Sequence, residues 1–146
     1  MPLLIDLKPG EKIIINGAVL ENAGSSTKLR ILNDSSILRQ KEIMTEDDSA
    51  TPAARVYFHL QCAYIFPEKR DHYLELGQAF LAQYLEACPS AAPLAAELRE
   101  EIAGDQLYKG LKTARKLLAH ETEVLGHFHD KVAALADDVT SDSSAD

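Results

Sequence analysis

Cations and amides at the ends of short strands can hold phosphates and reach unpaired bases. This chain places six cations early: Lys8, Lys12, Lys28, Arg30, Arg39 and Lys41, with Asn16 and Asn33 at turns between them. The same placement also serves a purely structural end, because charged residues on strand edges keep a second chain from pairing there. A second basic group is "YKGLKTARK" (108–116), in which Lys109, Lys112 and Lys116 follow helical spacing with Arg115 beside them. It fits phosphate contact or a solvated helix face. Other chemistry is thin. There is no GxSxG, no HExxH and no dinucleotide fingerprint, and Gly104 and Gly110 are one residue too far apart for a phosphate-binding loop. The histidines of "HETEVLGHFHD" (120–130) are spaced too loosely for a metal set, because His120 and His127 share a helix face while His129 points elsewhere. Carboxylate pairs such as Glu100–Glu101 and Asp47–Asp48 stand in acidic, solvated surroundings. The residues therefore predict no catalytic site, no metal and no cofactor.

The formal net charge of -8 argues against nucleic-acid binding by the chain as a whole. Its distribution is uneven. Over positions 1–44 six cations face five anions, leaving +1, so the remainder carries -9. Tryptophan is absent and aromatics make up 6%, so the core must be built from Leu, Ile and Ala. No apolar run approaches the ~20 residues that span a bilayer. "MPLLIDLKPG" interrupts its apolar patch with Asp6 and has no basic leader, so a signal peptide is not expected. Cys62 and Cys88 stand alone, as reduced thiols of a cytoplasmic protein do.

The elements that must position the cations follow from turn chemistry and periodicity. Pro9-Gly10 suits the centre of a type II turn, and Asn16-Gly17 a type I′ hairpin. Between them Ile13 and Ile15 share one strand face, Lys12 and Ile14 the other. With "LLIDL" (3–7), 18–21, "TKLRILN" (27–33) and "ILRQ" (37–40), an antiparallel β-meander of about five strands is predicted. It is too small to stand alone and must pack on helices or on another chain. Thr51-Pro52 reads as N-cap and first turn of a helix carrying Val56, Tyr57, Leu60 and Tyr64. Helices over 69–86, 94–103 and 106–136 follow, the last with Lys109, Lys112 and Lys116 opposite a Leu107–Leu111–Leu118 stripe and a possible bend at Gly126. The expected class is α+β: a β-meander over 1–44, a helical region of about four helices over 45–136, and a disordered acidic tail over 137–146.

Three stretches together resemble the FlbT family of flagellin-synthesis regulators: "LKPGEKIIINGAVLEN" (7–22), "ILRQKEIMTEDDSATPAARVYFHLQ" (37–61) and "YKGLKTARKLLAHE" (108–121). Thr51, Pro52, Arg55 and Tyr57 fall in matching places, while Gly110 stands where Ala is expected. The resemblance implies a non-enzymatic post-transcriptional regulator, associated with the 5′ untranslated region of flagellin mRNA and promoting its decay, beside a small partner, FlaF. Some members instead favour flagellin production. Leu7 to Gly17, as L-x-x-G-E-x-x-x-I-x-G, is also similar to the start of the carbon-storage-regulator family, β proteins that bind leader RNAs. The basic C-terminal segment of that family has no counterpart here. RNA contact is expected at Lys8, Lys12, Asn16, Lys28, Arg30 and Lys41, with Lys109, Lys112, Arg115 and Lys116 as a second basic face. The rival expectation is a protein-interaction module acting through FlaF or flagellin, the acidic helices supplying the docking surface. Neither requires a membrane, and an uncovered sheet edge allows a homo-oligomer.

Overall fold

Left-handed backbone at Gly10 (φ 78°), Asn16 (φ 51°) and Gly17 (φ 86°) folds the first forty residues back on themselves. The computed structural model describes residues 3–144, with side chains from 3 through 136. The disordered tail expected over 137–146 lies outside the fully described residues. The strands are β1 (Leu3–Leu7), β2 (Lys12–Ile15), β3 (Ala18–Glu21), β4 (Thr27–Ile31) and β5 (Ile37–Arg39). Four helices follow, α1 (Pro52–Ile65), α2 (Arg70–Ala87), α3 (Ala92–Ala103) and α4 (Leu107–Ser144). The expected α+β order, five antiparallel strands and then four helices, is what forms.

The strands divide between two ladders. β1 pairs with β4, while β2 is the centre of a β3-β2-β5 sheet, every pairing antiparallel. β2 explains the division. Ile13 and Ile14 are both buried although they point to opposite faces. Ile13 packs with Ile5 and Leu7 between the two ladders, whereas Ile14 joins Leu38 in the core made with the helices. The layers therefore run β1·β4, then β3-β2-β5, then helices. Gly17 is needed twice, since its φ suits the type I′ turn and a Cβ there would lie 3.1 Å from the Phe66 ring at the end of α1. Asn22 ties the turns together. Its amide nitrogen donates to the Leu7 and Ser25 carbonyls, and its side-chain oxygen accepts from the Gly24 N–H.

α1 is the central helix, burying Val56, Leu60 and Ala63 completely or nearly so. Thr51 caps it as expected, its hydroxyl oxygen accepting from the Ala54 N–H at 3.2 Å. The Glu121 carboxylate of α4 completes the cap, accepting from the Thr51 hydroxyl and, at 3.1 Å, from the Ala53 N–H. A carboxylate there opposes the positive end of the helix dipole. Replacing Glu121 by Ala leaves those donors unpaired and is expected to cost about 1–2 kcal/mol in denaturant titration. α4 continues without a break through Gly126, where an added Cβ would meet nothing within 4 Å. Gly126→Ala should raise hydrogen-exchange protection of the flanking α4 amides by about 0.5–1 kcal/mol.

Candidate nucleic-acid interface

The cations of the first forty residues are all exposed, but they occupy different places. Lys28 and Arg30 lie on the outer face of the β1·β4 ladder, opposite Asp6 and Leu4. Lys12 faces Glu21 across β2 and β3, on the side of β2 that carries Ile14. Lys8 precedes the Pro9-Gly10 turn. Asn16 is committed locally, its side-chain oxygen accepting from the Ser36 N–H at 2.9 Å. Lys12 and Lys28 thus each have a carboxylate directly across the ladder, where a charged pair offsets part of the field.

Lys41 goes elsewhere, to the seam between the sheet and α4. β5 is the edge strand there, and side chains cover its outward N–H groups. The Ile37 N–H donates to the Tyr64 hydroxyl at 3.2 Å and the Arg39 N–H to the Glu42 carboxylate at 3.0 Å. The chain leaving β5, Gln40–Glu42, is then held against the helices. The Arg115 guanidinium donates to the Lys41 carbonyl at 2.7 Å, the Tyr57 hydroxyl to the Glu42 carbonyl at 2.6 Å and the Tyr108 hydroxyl to the Glu42 carboxylate at 2.8 Å. Gln61, buried in α1, pairs with both the N–H and the carbonyl of Met44 and fixes the rest of the connection.

The seam is open to solvent as a cleft of about 530 Å³ with Arg39, Lys41, Lys112 and Arg115 along its walls. Tyr57, Tyr64 and Tyr108 line it, together with the lone carboxylate Glu42. It adjoins two others. One shares Tyr64 and Tyr108 and reaches Lys109, and the other shares Lys41 and Arg115 and reaches Leu118. The groove therefore follows α4 for about 14 Å at 1.5 Å per residue. None of its four central cations is in an ion pair among the described residues, whereas Arg70 pairs with Asp105 and Lys116 with Glu97. The second basic face is accordingly split: Lys109, Lys112 and Arg115 border the groove, and Lys116 turns to α3.

The aromatic groups add surface without charge. Burial raises the Tyr57 and Tyr64 hydroxyls above their usual range, and burial with the bond to Glu42 pushes Tyr108 up to about 12. All three stay neutral at physiological pH. Lys112 Nζ lies 5.0 Å from the centre of the Tyr108 ring, whose centre is 5.8 Å from that of Tyr64. Tyr108 remains 39% exposed, enough for a planar ligand to stack on it. Glu42 and the tyrosines carry no site signal in sequence spacing, because they converge from the connection after β5, from α1 and from α4. Two other reactive groups are occupied or shielded. His120 engages Tyr84 and Ser90 through its two ring nitrogens, and burial raises the Cys62 thiol to about 11.

Residues 3–125 match the family model described as "Flagellar protein FlbT". The chain is 33% identical over 139 residues to the flagellum biosynthesis repressor protein FlbT of Caulobacter vibrioides, covering 94% of this chain and 99% of that one. It is 34% identical to a probable flagellum biosynthesis repressor of Bradyrhizobium diazoefficiens, covering 97% and 99%. A probable repressor of the same name from Rhodopseudomonas palustris is 35% identical, covering 86% and 98%. No solved structure gives a significant match.

Proposed function

The chain belongs to the FlbT family, and on that premise we propose that it regulates flagellar synthesis after transcription by binding the 5′ untranslated leader of flagellin mRNA in the groove along α4. The observation that carries this reading is the gathering of Arg39, Lys41, Lys112 and Arg115, none in an ion pair among the described residues, on one cleft of a chain with net charge -8. Unpaired cations meet phosphates, and exposed Tyr108 offers a ring to an unstacked base. The acidic remainder repels the backbone elsewhere, which confines contact to the groove and sharpens its salt dependence. Lys28 and Arg30, together on the outer face of the β1·β4 ladder, are left to flanking nucleotides, while Lys8 and Lys12 stand apart from them. Binding lowers the stability of the message, in keeping with the repressor names of the relatives. No helix among the described residues is long and apolar enough to cross a membrane, and the proposed site of action is the cytoplasm.

The test is photo-crosslinking of purified protein to flagellin leader RNA, followed by mapping of the linked residues. Links at Tyr108, Lys112 or Lys41 support the groove, and links confined to Lys28 and Arg30 move the contact to the outer ladder. A second reading is a docking module for FlaF or flagellin without RNA contact. It is favoured by apolar side chains left open on the β region, Val19 at 66% and Leu32 at 75% exposure. FlaF or flagellin retained after nuclease treatment, with leader RNA unbound by the protein alone, decides for it.

A further inference from the structure

α4 outruns the body it packs on. Its last ties to other elements in the described hydrogen bonds are those of His120 and Glu121, and every residue from Leu125 to Ala136 is exposed. On that stretch stand four large apolar side chains, Leu125 (43% exposed), Phe128 (60%), Val132 (47%) and Leu135 (64%). At about 100° per residue they fall within roughly 80° of one another, forming a seam with the alternating three- and four-residue spacing of helices that pair.

The spacing also specifies the occupant. Steps of three, four and three read the same in both directions about residue 130. A two-fold axis at that level lays the seam on its own copy, antiparallel. Leu125 then meets Leu135, and Phe128 meets the smaller Val132, so large opposes small in the middle layers. Asp130 points directly away from the seam, and no carboxylate lies at the axis. Parallel pairing is worse on two counts. It brings Glu121 against its own copy one layer before Leu125, and it sets side by side two bodies that each carry a net -4, from 14 cations and 18 anions over positions 1–124. Antiparallel pairing keeps the bodies about 27 Å apart along the helix axis, beyond the ~8–10 Å over which salt leaves charges in contact. We infer that the projecting part of α4 is a homodimerisation element, pairing antiparallel with the same segment of a second copy through Leu125, Phe128, Val132 and Leu135.

Light scattering on the full chain at high micromolar concentration should give twice the 16.0 kDa mass. Phe128→Asp, an exposed position, should return it to the monomer while the melting temperature of the body stays unchanged. Orientation is read by oxidation of variants that carry Cys88→Ser and one introduced exposed cysteine, the remaining Cys62 being buried. Lys131→Cys should cross-link to its own copy, and Leu125→Cys, about 15 Å from its counterpart, should not. A monomeric wild type, a dimer indifferent to Phe128→Asp, or cross-linking at Leu125→Cys alone overturns the inference. The first two outcomes leave the seam to another chain, and the third makes the pairing parallel.

Discussion

Joint replacement of Arg39, Lys41 and Lys112 by Ala should weaken leader-RNA binding by roughly 10- to 100-fold at physiological salt, from about 0.5–1 kcal/mol per exposed charge contact. The plot of log affinity against log salt should flatten by about 2, because each phosphate contact to a single strand contributes about 0.7. These three are chosen because none of their charged groups is in an ion pair among the described residues, Lys112 lying only over the Tyr108 ring. Arg115 is left in place because its guanidinium binds the Lys41 carbonyl, so its loss would disturb the connection as well as the charge. The control is Lys28→Ala with Arg30→Ala on the outer ladder, expected to change affinity less. Equal losses from both sets would mean that the two surfaces share the message. An unchanged triple variant would remove the groove from the mechanism.

Leu38→Ala should destabilise the whole molecule by about 2–5 kcal/mol, the range for truncating a fully buried Leu. Leu38 sits on the short strand β5 and is 0% exposed, packed with Ile14 in one cluster with Val56, Leu60, Leu98 and Leu117 of the helices. The boundary near residue 44 that composition suggests is thus crossed by the main core. Unfolding by denaturant should show one transition, with near-ultraviolet signals from the helix tyrosines lost at the same midpoint as the far-ultraviolet signal. Ile5→Ala, in the smaller cluster between the ladders, is expected to cost less than Leu38→Ala because its neighbours there are fewer and partly exposed. A Leu38→Ala protein that loses only the β region would show two independently stable units.

The local elements were legible because each is set by chemistry within a few residues. Pro9-Gly10 and Asn16-Gly17 dictate their turns through φ, Thr51-Pro52 starts α1, and the 3.6-residue recurrence of Val56, Tyr57 and Leu60 makes it amphipathic. The division into two ladders was less legible, since strand partners are not encoded locally. The clue was "KIII": two successive isoleucines buried on opposite faces require material on both sides of β2.

The site divides in the same way. Sequence alone determined that cations are plentiful early and again at 109–116, that acid dominates the remainder, and that these stretches carry the family pattern. Only the tertiary structure decided which cations meet. It carried Lys41 to Lys112 and Arg115, placed Tyr57, Tyr64 and Tyr108 around them, and turned Lys116 to Glu97 and Lys28 to the outer face. The reason is distance along the chain. Arg115 and the Lys41 carbonyl are 74 residues apart, and no periodicity within one element reports a contact made by packing β5 and its connection against the last helix.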